Sequence, residues 1–89
     1  MQIERASSVT RIADWEHGGV VYYLHLGSGP RITGHLTILA LGPAATYRSV
    51  VVAPHAARQA LTMLLEAPDE ATRSGTAECL LALREAFIH

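Results

Sequence analysis

Apolar positions in the first half of the chain alternate with polar ones at period two. They do so across Val20–Leu26, Ile32–Leu41 and Val50–Ala53. That spacing belongs to strands with one face buried. In the second half, apolar residues recur three and four positions apart, as on one side of a helix. The pattern predicts an α+β fold: a four-stranded antiparallel sheet connected as a meander, followed by two C-terminal helices packed on one of its faces.

The first strand is expected over Ile3–Ile12. It is polar, and Arg5 and Arg11 suit an edge position, where charge discourages pairing with another sheet. Asp14–Gly19 reads as a turn, with Gly18-Gly19 supplying positive φ. The second strand is Val20–Leu26, and Gly27-Ser28-Gly29-Pro30 is the next turn. Ile32–Leu41 and Thr46–Ala53 complete the sheet, joined by a turn at Gly42-Pro43-Ala44-Ala45.

A hairpin centred near Gly29 sets Leu26 against Ile32, Leu24 against Gly34, Tyr22 against Leu36 and Val20 against Ile38. These residues form one apolar face. The other face carries His25 with Thr33, Tyr23 with His35, and Val21 with Thr37. An even slip in register preserves this division, and an odd slip destroys it.

Pro54 suits the first turn of a helix, where its missing N–H costs nothing. That helix is expected to reach about Ala67, with Ala57, Ala60, Leu61, Leu64 and Leu65 on its apolar side. Pro68 ends it. Asp69–Gly75 reads as a polar connection, with three carboxylates at 66–70 in water. Thr76 is the expected N-cap of a second helix, Ala77–Ile88, with Leu80, Leu83, Phe87 and Ile88 on one side.

Eighty-nine residues make a single α+β domain, 1–89, with its sheet in 1–53 and its helices in 54–89. The chain is 49% hydrophobic, high enough to imply that some apolar surface is covered by a partner or a second copy. All seven basic residues are arginine, which reads as codon bias. The net charge is −1, the sheet half being faintly basic and the helical half acidic. Neither half carries an electrostatic footprint for duplex DNA. No run reaches the roughly 18–20 apolar residues that span a bilayer. The N-terminal residues lack a basic and an apolar region, so a cytoplasmic protein of bacterial or viral origin is expected.

Catalytic signals fail one by one. Cys79 is single and sits in a helix pattern, where an inert buried thiol is the default. Gly27-Ser28-Gly29 precedes a strand, so it is not a dinucleotide loop. The five histidines show no ligand spacing. His25 and His35 meet across the hairpin without the third ligand that zinc needs. No enzyme, metal or cofactor is expected.

The order of elements resembles the single-stranded-DNA-binding coactivator, Whirly and Pur-type families: four antiparallel strands, then a helix opened by proline. The resemblance covers roughly residues 20–67. It implies that Tyr23, Arg31 and Arg48 stack on bases and contact phosphates. Those families carry dense Lys and Arg on their strands, and this sheet does not. A single-stranded nucleic-acid binder is therefore the alternative reading.

The lead expectation is a small non-enzymatic protein–protein interaction module. It would act as an inhibitor or accessory protein of phage or mobile-element type, occupying a surface of a larger protein. The expected contact residues are Trp15, Tyr23, His25, Arg31, His35 and Arg48, the aromatics as anchors and the arginines pairing with carboxylates. Trp15, in its Gly-rich turn, either serves as such an anchor or folds back over the end of the core. The expected partner is a protein or the chain itself as a homodimer.

Overall fold

The computed structural model describes residues 8–88, with side chains through Leu83. Four strands, β1 (Ser8–His17), β2 (Val20–Ser28), β3 (Leu36–Leu41) and β4 (Tyr47–Val52), form one sheet in the order β1-β2-β3-β4. All three pairings are antiparallel. Two helices follow, α1 (Pro54–Leu65) and α2 (Glu70–Ile88). This is the expected α+β meander. Residues 3–7, the side chains of Phe87 and Ile88, and His89 lie outside the described residues.

The first correction concerns β1. It runs to His17, so Trp15 is a strand residue rather than a turn residue. Gly18 and Gly19 alone make the turn, at φ +60° and +78°. Two left-handed residues match the right-handed twist of the flanking strands, so no longer loop is needed. Ile12 bulges between Arg11 and Ala13, shifting the register by one. The bulge keeps Arg11 and Asp14 on one face, with Ala13 and Trp15 on the other.

The second correction concerns the β2–β3 hairpin. Leu26 pairs with Leu36 and Leu24 with Ile38, so the hairpin is centred on Arg31, not Gly29. Residues 29–35 are loop rather than strand. Ile32 folds back on Gly27, where a Cβ would collide with its carbonyl. Gly27 N–H donates to His35 O at 2.9 Å, and Gly34 N–H to Gly27 O at 3.2 Å. The shift from the expected register is even, so the two faces keep their membership.

One face holds the core. Leu24, Leu36, Ile38, Ala40, Leu64 and Ala77 are fully buried, and Tyr22, Ala57, Ala60 and Leu81 nearly so. The small inward residues of both helices let them approach the sheet closely. On α1 the inward stripe is Ala57, Ala60 and Leu64, as expected, whereas Leu65 is exposed.

On α2 the buried stripe is Ser74, Ala77 and Leu81; the expected Leu80 packs partly buried beside it, whereas Leu83 is exposed. The helix starts seven residues before Ala77, the expected start. Asp69 rather than Thr76 caps it, accepting the Thr72 N–H at Oδ1 over 2.7 Å. That bond and the neighbouring hydroxyl hold the Asp69 carboxyl below the usual carboxylate range. Cys79 consequently faces water instead of the core.

Candidate interaction surface

The helices cover one face of the sheet, and among the described residues nothing covers the other. Register decides which side chains stand on it. Directly paired residues share a face, so three cross-strand rows can be read off. Arg11, His25, Thr37 and Val51 form the first. Asp14, Tyr23, Leu39 and Ser49 form the second, and Glu16, Val21, Leu41 and Tyr47 the third.

The apolar members cluster toward β4. Tyr47 is 62% exposed, Val51 59% and Leu41 40%, while Val21, Tyr23 and Leu39 are half-buried. The charged members sit in β1. Arg11 lies over the Tyr23 ring, its guanidinium carbon 4.4 Å from the centroid. Its Nε donates to His25 Nε2 at 3.4 Å. Tyr23 and His25 are themselves adjacent rings, 6.2 Å apart. Arg11, Tyr23 and His25 thus form one continuous exposed group.

Of the six expected contact residues, Tyr23 and His25 share this face. His35 sits at the base of the hairpin loop, where its Nδ1 is buried with no hydrogen-bond partner. Arg31 is at the loop tip, exposed and at φ +73°, away from the strands. Trp15 takes the second of its two expected positions, in the core, and Arg48 lies on the covered face.

Trp15 is 6% exposed and belongs to the core. It stacks on Tyr22 at 5.0 Å with planes 15° apart, and its Nε1–H donates to Ser74 Oγ at 2.8 Å. The Arg73 guanidinium lies over its ring at 5.3 Å. A strand residue of this parity points at the helices, so it is a packing residue and not an anchor for a partner.

Arg48 pairs with Ala40, a core-face residue, and so points under the sheet toward α2. Its two guanidinium nitrogens grip both carboxylate oxygens of Glu78, Nη2 to Oε2 at 2.9 Å. The Tyr22 hydroxyl donates to the same Oε2 at 2.6 Å. The arginine holds the Glu78 carboxyl below its ordinary range against the opposing effect of partial burial. Burial, then the hydrogen bond to Glu78, pushes the Tyr22 phenol up to about 12. Arg48 therefore ties β4 to α2 and does not reach the open face.

Sequence reasoning missed Arg11, Leu41, Tyr47 and Val51. The alternation of Tyr47 and Val51 with Arg48, Val50 and Val52 was visible, but its parity relative to Tyr23 needed the β3–β4 register.

Elsewhere, a shallow groove of about 430 Å³ runs between Leu26, Pro54, Ala57 and Leu61, with Arg58 and Thr62 at its rim. Among the described residues no three His, Cys, Asp or Glu gather as metal ligands. No described helix is long and apolar enough to cross a membrane. In comparison with known proteins, no family model, curated protein or solved structure matches the chain significantly.

Proposed function

We propose that this chain is a non-enzymatic protein–protein interaction module working through its open sheet face. It acts as an accessory or inhibitory protein, of the kind carried by phages and mobile elements, by covering a surface of another protein. The observation that carries this reading is the exposed apolar group Leu41, Tyr47 and Val51, continuous with Tyr23 beneath Arg11. Tyr is enriched where interfaces concentrate their energy, and an arginine braced on a ring is well suited to pair with a carboxylate.

The same face argues against a track for phosphates. Arg11 shares its strand and face with Asp14 and Glu16, whose charge repels a nucleic-acid backbone. Arg31 and Arg48 are not beside it.

The test compares the wild-type chain with Tyr47→Asp. Each is used to capture proteins from a lysate, and each is titrated with a fluorescent oligo-dT. Tyr47 is exposed, so the variant folds. The expected result is a captured protein that survives about 0.5 M salt and is lost on Tyr47→Asp, with no oligonucleotide bound. Oligonucleotide binding that weakens steeply with salt would overturn the proposal in favour of the nucleic-acid alternative. Identical capture by both chains would show that the sheet face is not the contact.

A further inference from the structure

Resting on the reading of the sheet face as a protein-binding surface, we propose that a second copy of this chain occupies the face until the other protein displaces it. The copies are related by a two-fold axis that lies in the interface and runs across the strands. The distribution of charge over the rows and columns of the face carries the argument.

Face-to-face packing of two identical sheets allows two simple in-plane axes. An axis along the strands sets β1 of one copy over β4 of the other. Arg11 would then lie against Val51, Asp14 against Ser49 and Glu16 against Tyr47. Arg11 and Glu16 would lose water with no opposite charge to pair with, which is costly.

An axis across the strands sets β1 over β1 and β4 over β4, with the rows reversed. The second row, Asp14, Tyr23, Leu39 and Ser49, lies on the axis. The first and third rows exchange places. Arg11 then faces Glu16 of the partner subunit, and symmetry repeats the contact. Val51 faces Tyr47 of the partner subunit, closing the apolar patch on itself. Tyr23 meets its own copy near the centre.

The two Asp14 carboxylates approach each other only at the β1 edge. That edge is open to water and flanked by Arg11 from both chains. Packed sheets rotate by about 30° from strict alignment, so the matching is between rows rather than between single atoms.

The size of the face sets the expected strength. Four strands about 4.8 Å apart, each spanning some 20–30 Å, give two faces that together cover about 800–1,100 Å². That lies below the roughly 1,200 Å² at which stable specific interfaces begin, in the range of weak and transient contacts. A dimer in exchange with monomer is expected, not an obligate one.

The experiment is sedimentation equilibrium of the full chain from about 1 to 200 µM, with thermal melting of each variant as a folding control. The wild type should pass from monomer to dimer within this range. Arg11→Glu sets glutamate against Glu16 at two symmetric contacts and should weaken the dimer about tenfold. Glu16→Arg should do the same by setting arginine against Arg11. The double variant R11E/E16R exchanges the charges and should restore wild-type association to within about threefold. Val51→Asp, at a position facing water in the monomer, should abolish the dimer while leaving the melting temperature near that of the wild type at about 1 µM, where both chains are monomeric.

A wild type that remains monomeric at the highest concentration overturns the second copy as occupant. If Tyr47→Asp still loses a captured protein, the interaction-module reading survives that failure. If the capture is also unchanged, both fail. A dimer that Val51→Asp disrupts but R11E/E16R does not restore overturns the proposed axis.

Discussion

Tyr22 shows how one residue can serve two layers at once. Its ring is stacked under Trp15 in the core, and its hydroxyl reaches the Glu78 carboxylate that Arg48 grips from β4. The protonation states follow. The folded state raises the Tyr22 phenol from 10.0 to about 12, so it favours the neutral form. The stability this gives is complete below pH 10 and is lost as the pH rises from 10 toward 12. Glu78 behaves oppositely. Its carboxyl is lowered below 4.5, so its contribution is complete above that value and is lost as acid protonates it. Urea midpoints should therefore fall both above pH 10 and below pH 4.5. Tyr22→Phe should lower the unfolding free energy at neutral pH by about 1 kcal/mol, the worth of one hydrogen bond, and flatten the fall between pH 10 and 12. An unchanged alkaline limb would place its cause outside Tyr22.

At the scale of elements, α2 is the informative case. Gly75 reads locally as the end of a loop, because glycine weakens a helix interior. The helix nonetheless runs through it, since Asp69 caps the first turn and Ser74, Ala77 and Leu81 bury one stripe. Arg73 strengthens the junction with α1 by donating from Nε to Leu64 O at 2.9 Å. Tertiary contacts thus outweigh a local propensity of about 1 kcal/mol. Gly75 faces water, and a Cβ there would meet nothing within 4 Å. Gly75→Ala should therefore stabilise the domain by about 0.5–1 kcal/mol. For a chain this short, a gain of that size raises the melting temperature by roughly 2–8 °C. A lower melting temperature would mean that α2 is broken at this point.

At the scale of the whole molecule, a two-layer fold with one covered sheet face divides the apolar residues into two classes. Leu24 and Leu64 are fully buried, one from each layer. Leu24→Asp or Leu64→Asp should each unfold the protein, because the buried charge has no partner. Tyr23 is on the open face, so Tyr23→Ala should leave the melting temperature nearly unchanged while weakening association. Circular dichroism melts and sedimentation measure the two effects separately. A Tyr23→Ala chain that fails to fold would mean that the covered and open faces are interchanged.

The contrast between Tyr22 and Tyr23 was legible from the chain alone. Period-two alternation is a local property, and a strand with one apolar face must bury that face whatever its neighbours do. The same reasoning yields the meander, the two helices, the proline at the start of α1 and the inward stripe of that helix. Arg48 and Trp15 show where it stops. Each needed a pairing across strands, and cross-strand register is set by turns and bulges whose geometry depends on contacts distant in sequence. The Ile12 bulge, the hairpin centred on Arg31 and the Glu78 carboxylate waiting under β4 are such contacts. The composition of the sheet residues was thus written in the chain, while their arrangement into a charged column and an apolar column on one open face was decided by the tertiary structure.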